Sequence, residues 1–240
     1  MNDLSGKTIV VTGGEGLLGK AFKEHCAKAG ATALSADIAG GDIHLDITDE
    51  QSVQDCVAHV IKEHGTIDGW INNAYPRTDD WGAKFEDITF ESWKKNIDMH
   101  LGGYFLCCQN VLEQMKTQKS GSLINIGSIY GVVGPDFSLY EGSDMTMPAA
   151  YSAIKGGLIN FTRYLASYYA SSGLRVNAIS PGGIENGQSE VLLREYSKRT
   201  PLGRMAAPED IAPAAVYLLS NDANYVTGHN LVVDGGWTAV

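Results

Sequence analysis

The sequence is poor in cysteine, and the cysteines it has do not form a recognisable pattern. Four occur among 240 residues, none of them in a Cys-x-x-Cys pair, and Cys107 and Cys108 are adjacent. Small disulfide-stapled domains and cysteine-rich metal sites show regular cysteine spacings, which are missing here. We therefore expect cysteines that fill the core of a protein in a reducing compartment, and no metal site.

Positive charge is also scarce, and long apolar runs are missing. Lys and Arg total 18 against 28 Asp and Glu, which gives a formal net charge of −10. A basic face for nucleic acid or an anionic membrane is not indicated. No apolar run approaches the roughly 18 residues of a membrane span, and the first residues do not resemble a signal peptide. The expectation is a soluble cytoplasmic protein without nucleic-acid or membrane partners.

Strand-like and helix-like segments alternate along the chain. Strands are predicted at 7–12, 31–37, 43–47, 67–74, 121–128, 174–180 and 229–236. Helices are predicted at 17–30, 49–65, 89–117, 148–171 and 208–220. This order predicts an α/β fold, a single Rossmann-type doubly wound domain over 1–240 with about seven parallel strands and helices on both faces. The irregular stretches 128–147 and 182–203 are expected to form substrate-pocket loops, with a mobile lid at 184–200.

A glycine-rich loop separates the first predicted strand from the first predicted helix. The segment "VVTGGEGLLGKAF" places glycines at 13, 16 and 19 in that turn. Glycines permit a tight turn and a close approach of backbone to a pyrophosphate, which a helix N-terminus also attracts. A loop that needs positive φ would explain one glycine but not three. Dinucleotide contacts are predicted for Gly13, Glu15, Gly16, Leu17, Leu18 and Gly19.

Two aspartates follow the next predicted strands. Asp37 ends the second strand, where a carboxylate can accept hydrogen bonds from a ribose diol and repel a 2′-phosphate. Glu15 adds negative charge, and no Arg or Lys lies between 31 and 46. These features favour NAD over NADP, although Asp37 could also be a solvated turn residue. Asp46 could reach the adenine or cap a turn.

A tyrosine and a lysine lie four positions apart in "AAYSAIKGGL" (149–158). Tyr151 and Lys155 share one face of the predicted helix. An ammonium beside a phenol lowers the phenol's pKa, which is otherwise about 10. Tyr151 and Lys155 are either a catalytic proton donor and the residue that lowers its pKa, or two ordinary residues on a helix surface.

Several motifs in order decide between these two readings of the pair. They are "VTGGEGLLG" (11–19), "NNA" (72–74), Ser128, "YSAIK" (151–155), "RVNAISPGG" (175–183), "PLGRMAAPEDIA" (201–212) and "VDGG" (233–236). Over nearly its full length the chain resembles a short-chain dehydrogenase/reductase of the short single-domain branch. The resemblance implies an NAD-dependent oxidoreductase that interconverts a secondary alcohol and a ketone. Tyr151 would be the acid/base, Ser128 would hold the substrate oxygen, and Lys155 would bind the nicotinamide ribose.

The resemblance also implies further cofactor contacts. These fall on Ile47, Asn73, Ala74, Tyr75, Tyr151, Lys155, Pro181, Gly182 and Ile184. The glycine spacing, with Leu17 in place of the usual middle glycine, leaves open an NAD-retaining sugar epimerase or dehydratase. An NADP-dependent carbonyl reductase and a non-enzymatic cofactor sensor are also compatible with these motifs.

Two positions depart from the family pattern close to the reacting residues. Tyr75 stands where a glycine is usual, which narrows the space beside the cofactor. His100 aligns with the family's helical asparagine, which holds a water in the proton relay from the lysine. An imidazole can also relay protons through a charged form near its ordinary pKa of about 6.5. His100 is therefore predicted to be catalytic, the alternative being a packed helix residue.

The substrate side of the pocket is less well defined by the sequence. The segment between Ser128 and Tyr151 is longer than usual and carries Asp136, Tyr140, Glu141 and Asp144. Tyr140 and Arg77 are predicted substrate contacts, Arg77 with a carboxylate or phosphate unless it forms a surface salt bridge. The segments "NNAYPR", "HLGGYF", "SIYGVVGP" and "MTMPAAYSAIK" resemble oxidoreductases of flagellin modification and nonulosonic-acid biosynthesis. That resemblance implies a sugar or activated amino-sugar substrate.

The family resemblance also implies self-association. Members of the family pair two long helices across a two-fold axis, here residues 93–117 and 151–170. The chain ends with apolar residues, Trp237 and Val240, which suit a subunit contact. A homotetramer or homodimer is expected.

Overall fold

A computed structural model of the protein describes residues 2–140 and 146–240. Within them, seven strands form one parallel sheet in the order β3-β2-β1-β4-β5-β6-β7. The strands are β1 (Thr8–Thr12), β2 (Thr32–Asp37), β3 (Ile43–His44), β4 (Gly69–Asn72), β5 (Gly121–Ile126), β6 (Leu174–Pro181) and β7 (Asn230–Val233). The predicted doubly wound α/β fold is confirmed.

The central strands are apolar on both sides because helices cover both faces of the sheet. Along β1, Val10 enters one hydrophobic core, whereas its neighbours Ile9 and Val11 enter the other. Trp70 and Ile71 divide in the same way along β4. This alternation follows the two-residue period of a strand, and it explains why the strands read as continuous apolar runs.

The helices divide between the two faces. They are α1 (Leu17–Lys28), α2 (Glu50–His64), α3 (Phe90–Ile97), α4 (Gly103–Gln118), α5 (Ala149–Tyr168), α6 (Glu190–Arg199) and α7 (Pro208–Leu219). The buried residues of α2, α4 and α5 join the core that contains Trp70. Those of α1 and α7 join the core that contains Ile71. These five helices therefore each bury one face against the sheet.

The continuous helix predicted over 89–117 is wrong in its middle. The residues Asp98–Gly102 form a π-helical turn between α3 and α4. A Cβ at Gly103 would lie 2.8 Å from the Cδ1 atom of Ile47. The start of α4 therefore lies so close to Ile47 that a glycine is needed there. Such turns are irregularities that periodicity does not reveal, and they are common at functional sites. This one carries His100.

The irregular stretch predicted over 182–203 is also wrong in part, because it contains α6, whereas the mobile lid at 184–200 stays a prediction. Ser189 caps that helix by accepting a hydrogen bond from the Leu192 amide. Glu190 lies in the first turn, and Lys198 and Arg199 lie in the last, where each complements the helix dipole. Leu192 and Tyr196 are buried against Leu139 and Met205 in a small third core. Polar residues on the outer face of α6 conceal this pattern in the sequence.

The two segments expected to form pocket loops are joined by ionic and polar contacts. Arg199 Nε lies 2.9 Å from a carboxylate oxygen of Asp136, and Arg199 Nη2 donates to Ser138 Oγ at 2.9 Å. Glu141 and Asp144 lie outside the described residues. No helix among residues 2–140 and 146–240 is long and apolar enough to cross a membrane.

Candidate active site

A cavity of about 1050 Å³ opens at the carboxyl ends of the central strands. The strand order reverses between β1 and β4, because β2 lies on the outer side of β1 while β5 lies on the outer side of β4. Open α/β sheets bind ligands at this switch point. The cavity runs from Gly13 and Asp37 at one end to Tyr151 and Tyr196 at the other.

Most of the predicted site residues line this cavity. They are Gly13, Gly16, Leu17, Leu18, Asp37, Asp46, Ile47, Asn73, Ala74, Tyr75, Arg77, Ser128, Tyr140, Tyr151, Lys155, Pro181, Gly182 and Ile184. Glu15, Gly19 and His100 do not line it. Glu15 points to Lys20, 4.0 Å away, and His100 is buried beside Lys155. The family motifs predict that these three residues lie near the cofactor, but they do not predict which side chains face the cavity.

The glycine loop leaves a helix N-terminus without a side-chain cap. Gly13 has φ +61°, and a Cβ there would lie 2.8 Å from Ala74 Cα. Asn73 Nδ2 donates to the carbonyls of Thr12 and Gly13 at 3.0 and 3.1 Å, which fixes the loop against the end of β4. Gly16 is the N-cap of α1 and offers no side chain to the first-turn amides. These amides suit a pyrophosphate, and so the loop fits a dinucleotide.

Asp37 lies at the predicted ribose end and is held by backbone amides. Its carboxylate accepts from the amide of Glu15 at 3.0 Å and from that of Ala39 at 3.2 Å. The described cations that line the cavity are Arg77 and Lys155, which both lie beside Tyr75 near the reacting residues. Asp46 caps a turn, because it accepts from the amide and hydroxyl of Thr48 at 2.9 and 2.7 Å. Asp46 also lines the cavity.

Tyr151 and Ser128 meet at the far end of the cavity. The Ser128 hydroxyl follows β5 and accepts a hydrogen bond from the Tyr130 amide at 3.1 Å. Burial raises the pKa of Tyr151, and its hydrogen bond with Ser128 lowers that pKa in part. Ser128 is thus a second source of lowering, beside the one expected from the Lys155 ammonium, which stays a prediction.

The Lys155 side chain is buried and makes two specific polar contacts. Its Nζ atom donates to the Ile126 carbonyl at 2.7 Å and lies 3.4 Å from His100 Nε2. The same atom lies between 5.5 and 5.9 Å from the ring centres of Tyr75, Tyr104 and Tyr151. Burial lowers the pKa of Lys155 to about 7. The lysine can therefore gain or lose a proton close to neutral pH.

His100 is neutral in this environment. Burial first, and then the charge of Lys155, hold the pKa of its imidazole well below the ordinary value. Because the pKa is lowered, the predicted titration of His100 near pH 6–7 is not expected in this environment. Its Nδ1 atom and the hydroxyl of Tyr104 are both buried without a hydrogen-bond partner among the described residues, in rings whose centres are 5.2 Å apart.

Aromatic side chains surround the Tyr151 ring. Tyr75 and Trp81 lie edge-on to it, with ring centres 5.8 and 6.3 Å away. The Trp81 indole donates to the Tyr75 hydroxyl at 2.8 Å. Tyr140 also lines the cavity, and its phenol hydrogen-bonds that of Tyr130.

Several residues that line the cavity were not predicted from the sequence, among them Trp81, Tyr130 and Tyr196. Trp81 follows Arg77 by four positions in a segment without regular periodicity, and no local pattern marks it. Tyr130 lies two residues after Ser128, inside the motif "SIYGVVGP", and that proximity was a usable signal. Tyr196 accepts a hydrogen bond from the Gly183 amide, and its ring stacks on Trp237 at 4.3 Å. The polar residues on the outer face of α6 conceal Tyr196 in the sequence.

Known proteins resemble this chain over nearly its full length. A family model described as enoyl-(acyl carrier protein) reductase matches residues 6–238. The post-translational flagellin modification protein A of Campylobacter coli is 32% identical over 253 residues, covering 98% of this chain and 99% of that protein. A 2,5-dichloro-2,5-cyclohexadiene-1,4-diol dehydrogenase of Sphingobium indicum is 34% identical over 263 residues, covering 100% of both chains. The crystal structure of a short-chain dehydrogenase from Leptospira borgpetersenii with bound NAD+ has a TM-score of 0.89 at 33% identity, covering 99% of this chain and 94% of that one.

The chain belongs to the short-chain dehydrogenase/reductase family. It is therefore an oxidoreductase with a Rossmann fold, of a family that uses NAD or NADP. The relatives carry different activities in their names, and so membership defines the chemistry but not the substrate.

Proposed function

We propose that the protein is an NAD-dependent oxidoreductase that interconverts a secondary alcohol and a ketone. The observation that carries the proposal is the position of Tyr151, Ser128 and Lys155 in the same cavity as the glycine loop and Asp37. Bound NAD would accept the hydride from the alcohol carbon or, in reduced form, return it to the ketone. The protein's own residues would hold the substrate oxygen and move its proton.

Tyr151 would take the alcohol proton or give it to the ketone oxygen. Its raised pKa keeps the phenol protonated, which suits donation to a ketone. In alcohol oxidation the phenol must first lose its proton, and the hydrogen bond from Ser128 favours the resulting phenolate. Ser128 would also hold the substrate oxygen beside Tyr151.

Lys155, assisted by His100, would carry the proton away from the phenol. Lys155 would also bind the nicotinamide ribose, as in the family. Lys155 would take up the phenol's proton, and the neutral imidazole of His100 would stabilise the resulting ammonium by accepting a hydrogen bond at Nε2. The contact of 3.4 Å between Lys155 Nζ and His100 Nε2 supports this route.

The preference for NAD follows from the charge at the end of β2. Asp37 would accept hydrogen bonds from a ribose diol and repel the 2′-phosphate of NADP. Lys20 and Lys23 of α1 face Glu15 and Asp42 at 4.0 and 2.6 Å. Neither is left to neutralise an added phosphate.

A cyclic alcohol is the substrate class that we favour, and a sugar or activated amino sugar is its leading member. Aromatic rings of the kind that surround Tyr151 pack well against the apolar face of a ring. The relatives named above include a cyclohexadienediol dehydrogenase and a flagellin modification protein.

A cytoplasmic location is proposed as well, because Cys26, Cys56, Cys107 and Cys108 are all buried and unpaired.

The protein is further proposed to associate into a homodimer or homotetramer through α4 and α5. The rings of Phe105, Phe161, Tyr164 and Tyr168 follow one another at 5.9 to 6.3 Å along these two helices. Tyr164 and Tyr168 are 60% and 63% exposed. A contiguous exposed aromatic face of this kind marks an interaction surface, and a second copy presents the same face.

The test of the proposed reaction is net cofactor reduction. Dialysed protein is mixed with NAD and a panel of cyclic secondary alcohols and sugars, and NADH absorbance is compared with the ketone formed. Equal amounts of NADH and ketone support the oxidoreductase. Cofactor that stays bound on dilution, with an isomerised or dehydrated sugar and no net NADH, would establish an epimerase or dehydratase instead.

A further inference from the structure

Three side chains next to Tyr151 have no part in the proton transfer described above. Tyr75, Arg77 and Trp81 all line the cavity. The rings of Tyr75 and Trp81 lie edge-on to Tyr151. A substrate whose oxygen reaches Tyr151 therefore has its neighbouring atoms beside these three side chains.

Tyr75 has a hydroxyl hydrogen to donate. The Trp81 indole donates to the Tyr75 oxygen at 2.8 Å, and an indole nitrogen cannot accept in return. Among the described residues, no acceptor receives the Tyr75 hydroxyl hydrogen. Partial burial raises the pKa of Tyr75, and so the phenol remains a protonated donor.

Arg77 adds a positive charge without an acidic partner next to this donor. Its guanidinium carbon lies 5.4 Å from the centre of the Tyr75 ring. No described carboxylate forms an ion pair with it, and the nearby Asp80 already accepts from Ser92 at 2.8 Å. Arg77 is exposed at the cavity wall, and its charge is available to an anionic ligand there.

The geometry points to an oxyanion subsite formed by Tyr75 and Arg77, with Trp81 fixing the tyrosine. An arginine pairs with carboxylate or phosphate oxygens through parallel hydrogen bonds, and a neutral phenol can donate one more. The ligand is a carboxylate or phosphate group carried by the substrate close to the alcohol carbon that Tyr151 serves. This deepens the proposed function, on which it depends for the position of the alcohol.

The test measures binding rather than turnover, so that it does not depend on the reaction. Protein loaded with NADH, which cannot accept a hydride from an alcohol, is titrated calorimetrically with three probes that share one ring, namely 4-hydroxycyclohexanecarboxylate, its uncharged carboxamide and 4-hydroxycyclohexyl phosphate. At least one anion is expected to bind about tenfold more tightly than the carboxamide, which is the size of one charge-assisted hydrogen bond. The preferred anion distinguishes a carboxylate substrate from a phosphorylated one.

Two variants assign that preference to the subsite. Arg77→Met should abolish the advantage of the anion, and Tyr75→Phe should reduce it while keeping the ring. Arg163→Met is the matched control for net charge, because Arg163 is exposed on α5 and does not line the cavity. It should retain the advantage.

The outcomes separate this inference from the proposed function. The inference is overturned if the carboxamide binds as tightly as both anions, if no probe binds, or if Arg77→Met keeps the anion preference. In each of these cases, NADH formation from uncharged ring alcohols would still support the oxidoreductase proposal. Anion binding that depends on Arg77, without NADH formation from any alcohol, would support the subsite and contradict the oxidoreductase proposal.

Discussion

The Nζ atom of Lys155 lies 3.4 Å from Nε2 of His100, in a place where neither residue is accessible to solvent by more than 3%. A charged lysine has only hydrogens to donate, and so Nε2 is the acceptor and the ring hydrogen belongs on Nδ1. Two basic groups in contact cannot both hold an extra proton at this depth. His100 therefore acts on Lys155 as a neutral acceptor, and the proton that titrates near neutrality belongs to the lysine.

Replacement of His100 tests this relationship. His100→Asn keeps an acceptor and should keep most of the activity. His100→Leu should lower the turnover rate, because the buried ammonium loses an acceptor worth about 1–3 kcal/mol. The loss of that acceptor should also move the inflection of Lys155 in the pH–rate profile from about 7 to lower pH. Equal rates and equal pH profiles for the wild type and His100→Leu would refute the role of His100.

Burial of Lys155 is expected to lower the free energy of unfolding. In the unfolded chain it holds its proton up to its ordinary pKa of 10.5, whereas in the folded protein it does so only to about 7. The penalty for burying the charge is therefore greatest below pH 7, and it disappears as the pH rises towards 10.5. Lys155→Met should stabilise the protein by about 2–4 kcal/mol at pH 6, since one pKa unit corresponds to about 1.4 kcal/mol and two hydrogen bonds are lost.

Urea unfolding at pH 6 and at pH 9.5 measures this effect. The gain in unfolding free energy should shrink between the two pH values. A gain that stays constant, or a loss at pH 6, would show that the folded protein does not disfavour the charge of Lys155. Lys62→Met, at an exposed position of α2, serves as the control and should change little at either pH.

Cofactor choice is expected to depend on the charge of Asp37. Asp37→Asn keeps an oxygen that can accept from the amides of Glu15 and Ala39 but removes the charge. It should narrow the gap between NAD and NADP affinity by about tenfold, mainly through tighter NADP binding. Titrations of both cofactors against the wild type and the variant provide the measurement. NADP binding as tight as NAD binding in the wild type would contradict the assignment.

Self-association is expected to depend on the aromatic face of α4 and α5. Glutamate at both Tyr164 and Tyr168 should dissociate the oligomer, because charges would be buried at the interface. Sedimentation velocity over a range of concentrations measures this, with Tyr225→Glu as a control at a fully exposed position outside that face. A wild-type protein with the mass of one chain at every concentration would rule out the oligomer.

The fold could be predicted because its strands and helices are marked by residues that are close together in the sequence. Apolar runs bounded by glycines and caps define β1, β4, α1 and α2 within a few residues of their observed ends. The place of Tyr151, Lys155 and Ser128 at one cavity could be predicted from the family resemblance, because the first two share one helix face and Ser128 shortly follows β5; their roles in the reaction stay a prediction. These relationships depend on neighbours along the chain.

The remaining features depend on residues far apart in sequence. The π-helical turn at His100 accompanies a close approach to Ile47, and the meeting of Trp81, Tyr75 and Tyr151 joins three separate segments. The pKa of His100 is decided by its burial and by Lys155, a residue 55 positions away. No local pattern contains this information.

The central claim is that the Tyr151 hydroxyl moves the substrate proton, and Tyr151→Phe tests it most directly. With an alcohol that the wild type oxidises, NADH formation by the variant should fall by about 10²- to 10⁴-fold, the usual contribution of a general acid or base. The affinity for NAD should stay within about twofold, because the ring and Lys155 remain, and Tyr164→Phe should behave as the wild type. Normal turnover in Tyr151→Phe would contradict the account.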